Sequence, residues 1–178
     1  LFGNLLSGTP TTPGTYNFVL DGSTMNFTMN VPGGPICLLE NCDVLVEAEG
    51  VKEYTYKNIT KITKNDRVIG YFSRKPVKIL EVLERVHKIA DLDPNNMPFV
   101  IRKSHYNANT PDKDIHLSGH HRVIIKEDSG KFLGVQVFKL GFDKVDMQGE
   151  TVRYFHIRLE DRLEGLIVNN LAVESCQD

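Results

Sequence analysis

With 178 residues, 40% hydrophobic and 25% charged, the chain has the size and make-up of one globular domain, or one domain with an appended segment, and fits neither disorder nor a fibrous architecture. Lys and Arg number 21 against 23 Asp and Glu, a formal charge of −2, so the basic surplus of a dedicated nucleic-acid binder is missing. No apolar run approaches the roughly 18 residues of a membrane-spanning helix, and the chain opens at Leu1 with neither an initiating Met nor a charged stretch ahead of an apolar one, which reads as a piece of a longer polypeptide without a visible signal peptide.

The first 36 residues hold a single charged side chain, Asp21, and no Lys, Arg or His. Two stretches alternate with period two, Tyr16-Asn17-Phe18-Val19-Leu20 and Met25-Asn26-Phe27-Thr28-Met29-Asn30-Val31, and are expected as strands. Val31-Pro32-Gly33-Gly34-Pro35-Ile36 then breaks any continuing strand and reads as a linker. Every basic residue lies after Ile36. The boundary Ile36–Cys37 is therefore either the end of a flexible leader or a functional junction.

Beyond Cys37 short β-branched and aromatic runs dominate: Asp43-Val44-Leu45-Val46, Arg67-Val68-Ile69-Gly70-Tyr71-Phe72, Arg122-Val123-Ile124-Ile125, Val135-Gln136-Val137-Phe138 and Thr151 to Leu159. Glu127-Asp128-Ser129-Gly130 is expected as a hairpin turn. Val77 to Ala90 is ambiguous, because Leu80, Leu83 and Val86 share a helical face while Val77, Ile79 and Val82 suit a strand. Many short strands and no solenoid-length repeat predict a compact all-β fold with long-range pairing.

Three cysteines, Cys37, Cys42 and Cys176, make no disulfide framework, and five-residue spacing between the first two is not that of a zinc knuckle or redox pair. A small buried hydrophobe is the plain reading of any one of them. His116 and His120 stand four apart, as metal ligands on a helix would, but Ser118-Gly119 between them and Val123-Ile124-Ile125 after them argue for strand, turn and strand. Nothing nearby completes a ligand set, so no metal and no cofactor is expected. Asn26-Phe27-Thr28 and Asn58-Ile59-Thr60 are formal glycosylation triplets.

Four segments in order carry a family resemblance. Cys37-Leu38-Leu39-Glu40-Asn41-Cys42-Asp43-Val44, with Gly50 after it, resembles the opening of Hint (Hedgehog/intein) domains. Ile62-Thr63-Lys64-Asn65-Asp66-Arg67-Val68 is similar to the family's Gly-Asp-x-Val segment, with Asn65 for Gly. Ser118-Gly119-His120-His121 resembles its Thr/Ser-x-x-His motif, and Tyr154 to Glu160 through Asn169 to Ser175 resembles its C-terminal block. The match is closest to bacterial intein-like modules. It divides the chain into an uncharged flanking segment (1–36), a Hint-like domain (37–176) and a tail (177–178).

The resemblance implies an all-β horseshoe of many short strands, with a short β-rich leader upstream. It also implies a single-turnover reaction on the chain's own backbone. Cys37 would attack the carbonyl of Ile36 and convert the amide to a thioester, aligned by the fold. His121 would protonate the departing nitrogen, and the oxyanion would find the Ser118 hydroxyl or backbone N–H groups of the Ser118–His121 turn. His156, where inteins commonly carry Asp, would assist proton transfer or serve as a plain strand residue.

Full splicing would need a terminal Asn. Glu174 and Ser175 stand at that junction instead, so the thioester is expected to end in hydrolysis, attack by an external thiol, or transfer to Cys176. Cys176 is alternatively a free thiol or a disulfide partner for Cys37. The substrate is thus the flanking polypeptide itself, with no nucleic-acid or membrane partner. The competing reading is an inert Hint-fold binding or structural module of a secreted or surface protein. Transfer to a sterol, which would need a further recognition region, is not expected.

Overall fold

The computed structural model describes residues 14–19, 26–31, 36–48 and 53–175. The chain divides into two compact units, Leu1–Gly34 and Pro35–Asp178. In the first, β1 (Gly14–Val19) and β2 (Asn26–Val31) form an antiparallel hairpin from Gly14↔Val31 to Val19↔Asn26. These are the two alternating stretches of the sequence. The expected linker after them lies outside the described residues except for Val31, which ends β2, and Ile36, as do Leu20, Met25, Gly50, Cys176 and the tail.

The second unit is built from twelve strands: β3 (Asp43–Glu47), β4 (Tyr54–Asn58), β5 (Arg67–Ile69), β6 (Pro76–Lys88), β7 (Pro98–Ile101), β8 (Ile115–Ser118), β9 (Arg122–Lys126), β10 (Phe132–Gln136), β11 (Asp143–Lys144), β12 (Thr151–Leu159), β13 (Gly165–Val168) and β14 (Leu171–Glu174). No α-helix occurs among the described residues, only three single 3-10 turns. The large sheet runs β10-β9-β14-β13-β3-β5-β6-β12, with β4 also on β3, and a second sheet runs β11-β7-β8. All of these pairs are antiparallel. The all-β expectation holds.

Val77 to Ala90 resolves as strand to Lys88. Its β6 pairs with β12 from Lys88↔Thr151 to Ile79↔Leu159, with a register shift at Arg158/Leu159. The helical spacing of Leu80, Leu83 and Val86 misleads because Leu80 and Val86 are solvent-exposed rather than sharing a buried face. At Val135 to Phe138 the strand stops at Gln136 and a 3-10 turn follows, because the Val137 N–H turns away to the carbonyl of His121. Asn58, in the second of the formal glycosylation triplets, is held by local hydrogen bonds. The Asn58 Nδ2 donates to Glu40 O at 2.8 Å and Asp43 Oδ1 at 2.9 Å, and its Oδ1 caps Thr60.

Two apolar clusters lie on opposite faces of β12. Phe155, Ile157 and Leu159 enter the main core with Leu38, Leu117, Val44 and Val68. Val152 and Tyr154 point the other way, into a smaller cluster with Cys37 and Leu39, flanked by Ile89, Leu92 and Met147. The alternation of Thr151–Leu159 changes phase at Tyr154–Phe155, so the strand serves first the smaller cluster and then the main core. Between β13 and β14 the chain reverses in two residues. Asn169 and Asn170 take φ of 46° and 61°, the conformation a twisted two-residue hairpin turn requires and Asn tolerates.

Candidate active site

The residue after Cys37 sets the geometry. Leu38 bridges Leu117 on one side and Phe155 on the other, both antiparallel, so the segment 37–39 is threaded as a short strand between β8 and β12. Stepping back one residue in that register puts Cys37 opposite Ser118 and opposite His156, with all three side chains on the face away from the main core. Leu39, His116 and Tyr154 occupy the next rung. Backbone bonds fix the rungs: Leu38 N–H to Phe155 O at 2.9 Å and back at 2.9 Å, Leu39 N–H to His116 O at 3.2 Å, and Ser118 N–H to Cys37 O at 3.0 Å.

The contacts follow from that register. The Cys37 N–H, the amide that joins it to Ile36, donates to Ser118 Oγ at 2.9 Å. The Cys37 sulfur lies 3.1 Å from His156 Nε2. Cys37 is fully buried, as is Ser118, and His156 is 7% exposed. Ser118 Oγ therefore meets the Cys37 nitrogen as an acceptor. The turn's own amides are largely taken, with Ser118 N–H on Cys37 O, Gly119 N–H on Met97 O and His121 N–H on Ser118 O. The expected oxyanion donors from that turn are not supported at these three positions.

His121 comes to the site through a tight turn that only glycine permits. A Cβ on Gly119 would stand 2.0 Å from Asn95 O and 2.6 Å from the Phe99 ring. The imidazole is buried, its Nε2 is 3.2 Å from Glu174 O, and its buried Nδ1 has no hydrogen-bond partner among the described residues. A carbonyl can only accept, so Nε2 carries the proton and Nδ1 the lone pair. Burial drives the pKa of His121 down to about 4, against the smaller upward pull of the Cys37 and Glu174 main chains and with a further push from His156. The Cys37 main chain acts on the ring at a range where no well-formed hydrogen bond exists. His121 is thus a neutral imidazole at neutral pH.

Of the other residues singled out in the sequence, Cys42 belongs to the main core. Its S–H donates to His116 O at 3.3 Å, and burial pushes its pKa up to about 12, which makes it an inert thiol. Ser175 is buried with its hydroxyl on Glu164 O at 2.8 Å. The Glu174 carboxylate accepts the Arg122 N–H at 2.8 Å. Ile36 is partly exposed. His116 and His120 lie in strand and turn, His120 near Gln136 Nε2 at 3.2 Å, and no group of three His, Cys, Asp or Glu converges among the described residues.

Tyr154 escaped the sequence reading. It walls the Cys37 cluster and donates its hydroxyl to Asn96 O at 2.6 Å. Its place two residues before His156 in an alternating strand was the available signal.

A buried cysteine, a hydroxyl on its amide and the His156 imidazole thus meet near the start of the second unit, with His121 close by. The profile described as Hint domain matches residues 37–178. A comparison with curated proteins found no match. Since the matched region takes in most of the chain and the all-β architecture agrees with it, this protein belongs to the Hint domain family, whose members are self-processing modules.

Proposed function

We propose that the domain cleaves its own backbone at Ile36–Cys37 through an N-to-S acyl shift. The observation that carries this reading is a single residue held at both of its reacting atoms. The Cys37 sulfur lies 3.1 Å from an imidazole nitrogen, and the Cys37 amide is gripped by Ser118 at 2.9 Å. In the attack His156 Nε2 takes the thiol proton and the sulfur adds to the Ile36 carbonyl carbon. On collapse the Ile36 C–Cys37 N bond breaks, a thioester remains and the nitrogen leaves as an amine with one added proton.

The two imidazoles oppose each other's charging, so one proton serves the pair. It is lifted from sulfur by His156 and returned at the nitrogen that Ser118 Oγ holds at 2.9 Å, with His121 as the acid that delivers it. Because His121 rests neutral, it acts as an acid only after gaining this proton during the reaction. Orientation in place of encounter supplies the drive, on the scale of effective molarities near 10⁵ M or more.

The thioester then ends in hydrolysis, attack by an external thiol or transfer to Cys176, rather than in complete splicing, since Ser175 has no amide to cyclise. Incubation of the 178-residue chain with dithiothreitol, followed by intact-mass measurement, tests the reading. Two fragments split before Cys37 are expected, and Cys37→Ala abolishes them. A single full-length species after days under thiol overturns the proposal. One observation favours an inert module instead, namely that Cys37 is fully buried in an apolar cluster; the same assay separates the two.

A further inference from the structure

We infer that Glu174 is a positioning residue for His121, so that the end of the domain aligns the imidazole that serves its beginning. The inference rests on the self-cleavage reading for its effect on rate, but not for its effect on the imidazole.

Strand β14 pairs with β9 at Val173↔Val123, which sets Glu174 beside Arg122 and hence beside His121. Glu174 then holds this corner by two separate groups. Its main-chain carbonyl lies 3.2 Å from His121 Nε2. Its carboxylate accepts the Arg122 N–H at 2.8 Å and stands 3.6 Å from Arg122 Nη1. The residue is 8% exposed, so both interactions work with little competition from water.

The main chain of His121 is tied on its other flank as well, by its N–H to Ser118 O at 3.0 Å and by Val137 N–H to its carbonyl at 2.9 Å. Among the described residues the ring's one well-formed hydrogen bond is to Glu174 O. That carbonyl selects the Nε2–H tautomer and leaves Nδ1, which is buried and unpartnered among the described residues, as the proton-accepting edge. The side-chain carboxylate keeps the carbonyl in place, because without it the Arg122 N–H loses its acceptor and Glu174 loses its tie to β9, leaving only its pairing with Gly165 of β13. A ring free to choose its tautomer would spend part of its population with the proton on Nδ1.

The test uses the full chain labelled with ¹⁵N-histidine and carrying Cys37→Ala, which keeps the backbone intact. Long-range ¹H–¹⁵N correlation at neutral pH is expected to show His121 as Nε2–H. Glu174→Ala should turn this into a mixture of both tautomers, and Glu174→Gln, which retains an acceptor oxygen for Arg122, should restore the single form. With Cys37 present, Glu174→Ala should slow thiol-induced cleavage about tenfold, the order of one lost hydrogen bond, and Glu174→Gln should recover most of that loss.

An Nδ1–H tautomer in the parent overturns the inference, and so does a folded Glu174→Ala chain that keeps a single Nε2–H form or cleaves at the parental rate. If Glu174→Ala fails to fold, the parental tautomer and the Glu174→Gln chain decide: Nε2–H in both supports the inference, and any other pattern overturns it. If the parent shows the expected tautomers but never cleaves, the self-cleavage reading fails while the positioning stands.

Discussion

The buried neutral state of His121 has a thermodynamic signature that can be measured without any cleavage. In the folded chain burial holds its pKa at about 4 against an ordinary 6.5. The folded-state value is the lower one, so between these limits the unfolded chain binds more protons and stability falls as pH falls. The contribution is fully present above pH 6.5 and disappears on approach to pH 4. At about 1.36 kcal/mol per pH unit, the interval amounts to about 3 kcal/mol. The assay is urea unfolding from pH 7 to pH 4 of the Cys37→Ala chain, which keeps its backbone, with and without His121→Gln. His116 and His120, whose pKa values are also lowered by burial, titrate in both chains and cancel in the difference. The parent should lose about 3 kcal/mol more than the Gln chain across this range. A difference that stays flat within about 0.5 kcal/mol would show that His121 is solvated or already charged in the fold, and the neutral-imidazole argument would fall with it.

Three further outcomes follow from the same geometry. Gly119→Ala forces a Cβ to within 2.0 Å of Asn95 O; urea unfolding should show a loss of about 1–3 kcal/mol, and the displaced turn should stop thiol-induced cleavage. Cys42→Ala removes a thiol that lies in the main core and donates to His116 O; it should cost about 1–2 kcal/mol in stability yet leave the fragment pattern in intact-mass spectra unchanged, the opposite of Cys37→Ala. His156→Gln keeps a polar side chain near the sulfur but no base, and should slow cleavage by about 10²-fold or more in a mass-spectrometric time course with the unfolding midpoint unaltered.

Much of the fold was legible in places where one physical rule decided the local structure. Thr151–Leu159 alternates in two phases because its buried face changes at Tyr154–Phe155 from the smaller cluster to the main core, and the Glu127–Gly130 turn reads from its own residues, with Gly130 at φ 82°. Strand β6 was ambiguous for the converse reason. It is exposed at Leu80 and Val86, so neither period dominates its apolar residues, and its partner β12 begins more than sixty residues later. The site shows the same divide. Cys37, Ser118 and His156 are separated by 81 and 119 residues from the cysteine, a distance over which no periodicity speaks. Only the ordered family motifs brought them together in the sequence. To the donor role expected of Ser118 the structure adds an acceptor contact, its Oγ taking the Cys37 N–H. The link from Glu174 to His121 left no trace in the sequence at all, because half of it is a main-chain carbonyl that any residue would offer.

The placement of Cys37 in a strand rather than a loop bears on how such a reaction could be steered. A cysteine in a mobile loop would reach the preceding carbonyl from many angles and would be open to water. Here backbone bonds on both sides hold residues 37–39, and Leu39, Val152 and Tyr154 close over the sulfur. The enclosure desolvates the thiol, which by itself disfavours the thiolate, so a base in direct contact becomes necessary instead of optional. His156 meets that need at 3.1 Å. The same enclosure that makes the sulfur dependent on its imidazole would shield a thioester formed there from bulk water on the buried side, leaving the side of Ile36, where the chain is partly exposed, as the route for any attacking nucleophile.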